Sequence, residues 1–262
     1  LSYTFQLYYD FSGYTDMAIG AALLFNIRLP INFNSPYKAL NIQDFWRRWH
    51  ITLSGWLRDY VYIPLGGNRV GQGRIYFNLF LTFLVGGIWH GAGWTFALWG
   101  ALHGAALVVH RIWCLLGLRL HAALGWLLTF LFVNITWVFF RAESFAGAMS
   151  MLRSMMDTDS IAVSKFFSGV INYLSPVYLA KPTNFQPDSF ISIYTVEHLL
   201  VFGLAAFLLP NSVQLIKFIA YQGRLAFKPS IRSGFIVALV AFAALSSFVG
   251  DATPAKFLYF NF

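Results

Sequence analysis

Two stretches of this chain place histidines and arginines where a lipid bilayer tolerates almost none. Residues 45–60 read FWRRWHITLSGWLRDY, and 86–94 read GGIWHGAGW at the end of a nearly pure apolar run. An ionisable group at membrane depth is costly, so it serves chemistry or transport more often than packing. Membrane depth itself follows from composition. Of 262 residues, 58% are apolar, 19% aromatic and only 11% charged, and the mean hydropathy is +0.62. Soluble domains carry about a quarter charged residues. Long continuous apolar runs argue for helices rather than the roughly ten-residue alternating strands of a transmembrane barrel. The expected fold is an all-α polytopic integral membrane protein. Abundant Phe, Trp and Tyr suit rings that anchor at lipid headgroups.

The net charge of +8 reads as Lys and Arg in cytoplasmic loops and against anionic membrane lipid, not as a nucleic-acid surface. A single cysteine, Cys114, excludes an intrachain disulfide. The chain opens at Leu1 directly into an apolar segment, with no signal-peptide pattern. The expectation is that 1–262 is the C-terminal part of one membrane domain whose N-terminal spans lie outside it.

A first apolar segment covers 3–27, and 28–41 is a loop broken by prolines, Asn and Ser. Over 42–63 apolar residues recur at helical spacing. The other face carries Asp44, Arg47, Arg48, Thr52, Arg58 and Asp59. This segment is too polar to face lipid along its length, so it is expected to be one interfacial or re-entrant helix, capped at Asn41 and Asp44. Residues 75–90 and 94–113 read as two spans joined by Gly91-Ala92-Gly93, in preference to one long broken helix. Further spans are expected at 123–140, 193–209 and 234–250, an amphipathic helix at 145–156, and an extramembrane loop over 157–192. With 75–113 as a hairpin, Arg69, Arg74, Arg111, Arg119 and the basic residues of 211–233 share one side, which should be cytoplasmic.

Among residues that could carry chemistry, His90 stands out. Its dry surroundings suit a neutral imidazole able to take a proton from a hydroxyl; the plainer alternative is a core histidine bonded to a neighbouring helix. His50, on the polar segment, could orient a substrate or assist proton transfer, or be merely solvated. Trp89, Trp49 and Asp44 flank the two as supporting residues. His103 and His110 lie seven residues apart, on roughly one helical face. Arg47, Arg48, Arg58 and Arg69 form a basic group that could draw in an anionic donor such as coenzyme A or a phosphopantetheine carrier, or contact lipid headgroups. No zinc-ligand spacing, GxSxG elbow, Walker A or GxGxxG motif is present, so no metal site and no bound cofactor are expected. A transporter would also explain membrane-embedded His, Asp and Arg, but it predicts paired broken segments in two related halves, and no repeat is visible.

YYDFSGYTDMAIG (8–20), LPINFNSPYKALNIQDFWRRWHITLSGWLRDYVYIPLGGNR (29–69) and GGIWHGAGWTFALWGALHG (86–104) closely resemble the membrane-bound O-acyltransferase (MBOAT) family, in the branch of the alginate O-acetylation protein AlgI. WVFFRAESFAGAM (137–149) and FLYFNF (257–262) resemble the same branch. The resemblance implies an O-acyltransferase with a helical funnel through the membrane. His90 matches the family's signature histidine. His50 matches a second polar position, often Asn in the family and His in this branch, and His103 a further histidine of the branch. It also implies acetyl-CoA or another acyl thioester as cytoplasmic donor. The acetyl group would pass to a periplasmic acetyltransferase that modifies a polysaccharide. Such a protein sits in the bacterial inner membrane. Alginate, cellulose and peptidoglycan are possible glycans, and related proteins D-alanylate teichoic acid.

Overall fold

The computed structural model describes residues 1–156 and 193–214, with four isolated positions between 235 and 242. The expected loop over 157–192 and all but those four positions of the expected span at 234–250 lie outside the described residues.

Eight α-helices carry the described chain, and no strand occurs among the described residues: α1 (Ser2–Leu24), α2 (Ile42–Trp46), α3 (Ile51–Leu57), α4 (Gln72–His90), α5 (Trp94–Leu115), α6 (Ala122–Arg141), α7 (Phe145–Met156) and α8 (Ile193–Leu208). Helices α5 and α6 are long and apolar enough to cross a membrane. Helices α1 and α4 are of similar length, 23 and 19 residues, but polar side chains dilute them. Asn78 and Thr82 of α4 are buried against protein.

Helices α4 and α5 form the expected hairpin, and small residues bring them together. A Cβ on Gly100 would strike the Phe83 carbonyl oxygen and come within 2.9 Å of Gly87 Cα; one on Gly104 would lie 2.9 Å from Phe80 Cα. Backbones this close gain dispersion contacts that larger residues would prevent. The turn is as tight: a Cβ on Gly91 would sit 2.6 Å from the Phe96 ring.

The 42–63 segment departs from the expected single helix. It runs as α2, a break at Arg47–His50, α3, and a π-helical turn over Arg58–Tyr62. The cause lies in the preceding loop, which is buried rather than peripheral. Asn32 and Asn34 run beside the break and satisfy its backbone: Asn34 N–H donates to Arg48 O (2.9 Å), Ile51 N–H to Asn32 O (3.0 Å) and Thr52 N–H to Asn32 Oδ1 (3.2 Å). Irregular backbone survives inside a membrane protein only when protein supplies such partners. The cap does form. Asn41 Oδ1 accepts from Asp44 N–H (2.8 Å), and Asp44 pairs with Arg48 one turn on (2.8 Å).

Among the described residues the aromatic rings divide between the interior and the surface. Phe45, Trp46, Trp49, Trp99, Trp137 and Phe140 are all buried in one core. Trp89 and Trp94 remain outward-facing, at 58% and 88% exposed. Helix α6 lines the core, and Thr4 of α1 docks on it through a 2.6 Å hydrogen bond to Asn134. Trp126 of α6 meets Phe207 of α8 edge-on.

Candidate active site

His90 is the last residue of α4, half-buried, at the point where Gly91 turns the chain into α5. Its imidazole is walled by Trp89, Trp99 and Phe140, with centroids at 4.9, 5.4 and 5.1 Å and all three rings steeply inclined. A positive charge formed there on proton uptake would sit at the carbonyl end of the α4 dipole, a favourable place for a cation.

His50 lies at the helix break with left-handed backbone angles, φ 44° and ψ 55°. Its Nδ1 is 3.1 Å from Asn32 Oδ1, which also accepts from the Thr52 amide and hydroxyl. Those two donors identify Oδ1 as the carbonyl oxygen, so Nδ1 carries the proton and a neutral ring presents its lone pair at Nε2. Phe11 packs edge-on against the same ring at 4.8 Å. Asn32 thus sets both the backbone and the tautomer at His50. It escaped the sequence reading because nothing in a Pro- and Asn-rich loop marks one Asn as buried.

His50 and His90 lie at the two ends of one aromatic run, His50 next to Trp49 in the chain and His90 against Trp99. Between them runs a ring contact path: Trp49 packs on Trp137 (5.0 Å), and Trp137 stacks on Trp99 (5.8 Å, 18° between planes), which meets His90. Trp49 is buried and forms a wall of this path.

His103 occupies a different place. It is 0% exposed. The Trp46 indole donates to its Nδ1 (3.2 Å), and its Nε2 is 3.0 Å from Thr136 Oγ1, which donates in turn to Val133 O. An indole can only donate, so Nδ1 must accept and Nε2 must donate. Both ring nitrogens are therefore committed, and His103 ties α2, α5 and α6 together behind Trp99, 4.8 Å away. Asp44 pairs with Arg48 and takes part in the N-terminal cap of α2.

At the other end of the α4–α5 hairpin a cavity of about 450 Å³ is lined by Trp46, Arg58, Tyr62, Asn68, Phe83, His110, Arg111 and Cys114, among others. Its innermost α4 residue, Phe83, lies seven residues from His90, about 10 Å along the helix. Of the four arginines read as donor-binding, Arg58, paired with Asp59 (2.7 Å), lines this cavity, and Arg47 is near enough to influence His110. Arg48 is held by Asp44 and by Asn34 O. Arg69 is exposed and outside the lining. Arg111, which sequence reading placed only on the basic side, reaches Asn68 and Gln72 at 3.4 Å. Burial raises the Tyr62 phenol above its ordinary pKa, and Arg111 partly offsets this.

Residues 1–152 match the family model of the membrane-bound O-acyltransferases. The chain belongs to the MBOAT family. It is 45% identical over 269 residues to the peptidoglycan O-acetyltransferase of Helicobacter pylori, a match covering all of this chain and 48% of that protein. It is 47% identical over 211 residues to the probable alginate O-acetylase AlgI of Pseudomonas aeruginosa, covering 79% of this chain and 38% of the relative. A weaker match, 36% over 118 residues, joins it to the teichoic acid D-alanyltransferase of Bacillus subtilis, covering 42% of this chain and 29% of that one. The chain thus spans less than half the length of these relatives. As an MBOAT protein of the AlgI-like branch, it is a membrane protein, and the histidine pair falls within the matched region.

Proposed function

We propose that the protein moves an acetyl group from a cytoplasmic thioester, acetyl-CoA or an acylated carrier, across the bacterial inner membrane toward a periplasmic acetyltransferase and its polysaccharide. The observation that carries this reading is the aromatic run that links His50 to His90, with His90 at the turn of the α4–α5 hairpin and a basic-rimmed cavity toward its other end. Transfer from a thioester to a hydroxyl needs a base for the hydroxyl proton. His90 takes that role. His50, its Nδ1–H fixed on Asn32, presents Nε2 to orient a reactant or relay the proton. Arg58 and Arg111 attract the anionic donor.

An alginate-like exopolysaccharide is the first choice of glycan. Peptidoglycan is a second reading, favoured by the match to the Helicobacter pylori enzyme over the whole of this chain.

The test is radiolabelled acetyl transfer by the full-length protein with its periplasmic partner. His90→Ala should abolish transfer while leaving its level in the membrane unchanged. Full activity in His90→Ala would remove that residue from the proposed chemistry. Proton or ion flux without acyl transfer would replace the reading with a transporter.

A further inference from the structure

We propose that the Trp99 indole N–H donates to the carbonyl oxygen of the acyl group as transfer proceeds, an inference that rests on the acyl-transfer reading above. Trp99 is 2% exposed, and its Nε1 has no hydrogen-bond acceptor. A buried donor left without a partner bears its full desolvation cost, so a chain that keeps one at this depth needs a reason for it. Phenylalanine would supply most of the same packing without that cost.

The place supplies the reason. Trp99 meets His90 at 5.4 Å with the planes at 87°. Phe140 packs at 5.1 Å, His103 at 4.8 Å and Trp137 at 5.8 Å. Rings on these sides hold the indole, so packing and not hydrogen bonding sets the direction of its N–H. Neighbouring donors are already spent: the Trp46 indole on His103, and His103 Nε2–H on Thr136. The other buried polar atoms without partners fit the role less well. Ser54 Oγ and Asn78 Oδ1 belong to the opposite end of the hairpin, where Ser54 lines the cavity and Asn78 bonds the 65–67 turn. Trp137 Nε1 leans toward the Tyr37 hydroxyl without reaching hydrogen-bond geometry. A fixed donor in a dry, low-dielectric wall beside the base is what stabilises an oxyanion most, because nothing must reorganise when the charge appears.

The acceptor hydroxyl oxygen bonds to the thioester carbonyl carbon while its proton passes to His90. The carbonyl π pair moves onto oxygen, which takes the Trp99 hydrogen bond. Collapse restores C=O, breaks the C–S bond, and releases the thiol with the proton from His90.

The experiment replaces Trp99 with benzothienylalanine in the full-length protein. This side chain keeps the bicyclic shape and puts sulfur where the N–H was. The expected result is a fall in kcat on the order of 100-fold, typical of losing an oxyanion donor, with KM for acetyl-CoA nearly unchanged. In parallel, the ¹⁵N–¹H signal of Trp99 Nε1 in the full-length His90→Ala protein should move downfield on adding acetyl-CoA but not free coenzyme A. Wild-type kcat in the benzothienylalanine protein, or an indole signal indifferent to the acetyl group, overturns the proposal while the acyl-transfer reading stands. No acetyl transfer by the wild type overturns that reading, and the proposal with it.

Discussion

His50, His90 and His103 all sit in segments that resemble family motifs, yet their surroundings assign them different work. A histidine with both nitrogens committed to protein partners cannot shuttle protons without breaking a bond, and His103 is in that position. Its removal should therefore act on stability first. His103→Ala leaves the Trp46 N–H without an acceptor and opens a cavity, at a cost of about 2–4 kcal/mol, read as a lower melting temperature in detergent. His90→Ala, at a half-buried helix end, should leave the melting temperature close to wild type while removing transfer. Equal losses of stability in the two variants would contradict this division. The distinction was not legible in the sequence. His90 and His103 both follow apolar runs, and only the Trp46 and Thr136 contacts, 57 and 33 residues away, mark His103 as a strut.

At the scale of elements, the helices were legible wherever periodicity was sustained. The α4–α5 hairpin, α6 and α7 fall within a few residues of the segments that hydropathy marks out. The 42–63 segment did not. Its apolar spacing continues straight across Arg47–His50, so the pattern reads as one helix, and the break is imposed from outside by Asn32 and Asn34 of a loop that looks peripheral. The hairpin is the element most sensitive to a single methyl group. Gly100→Ala forces the backbones of α4 and α5 apart at Gly87 and Phe83, which should cost about 1–3 kcal/mol as overpacking. Gly55, with open space around its Cβ position, is the control: Gly55→Ala should be neutral or slightly stabilising, since alanine is the better helix former. Thermal melts of both proteins in one detergent check the contrast.

Over the whole molecule, the described helices set a basic-rimmed cavity and a histidine pair at opposite ends of one hairpin, with an aromatic core alongside. Composition announced the membrane, and the resemblance announced the histidines, but neither showed that so many rings are internal. Helical spacing reports that a ring is on an apolar face; it does not tell lipid from protein. The cavity was only partly legible, because Arg58 lies within the 29–69 motif while His110 and Arg111 come from the far end of α5. If the cavity receives the donor, Arg58→Glu should raise KM for acetyl-CoA on the order of 10-fold, the scale of a lost charge-assisted contact, with little change in kcat. An unchanged KM would move the donor elsewhere.

The left-handed backbone at His50 carries a consequence for which residues this position can ever hold. Few side chains accept φ near +44°; Asn, Asp and His are enriched there, while β-branched residues are strained. The shape of the main chain, fixed by a loop some twenty residues upstream, therefore filters the candidates before any demand of catalysis applies. Besides glycine, those favoured are short polar groups able to bond Asn32 or a reactant. His50→Asn should keep the native melting temperature and some activity. His50→Val should lose about 1–2 kcal/mol through backbone strain, even though valine is no larger and the surroundings are apolar. A main chain that favours Asn, Asp and His over β-branched residues lets this position keep a hydrogen-bonding side chain at little backbone cost, with glycine the one equally tolerated residue that would lose it.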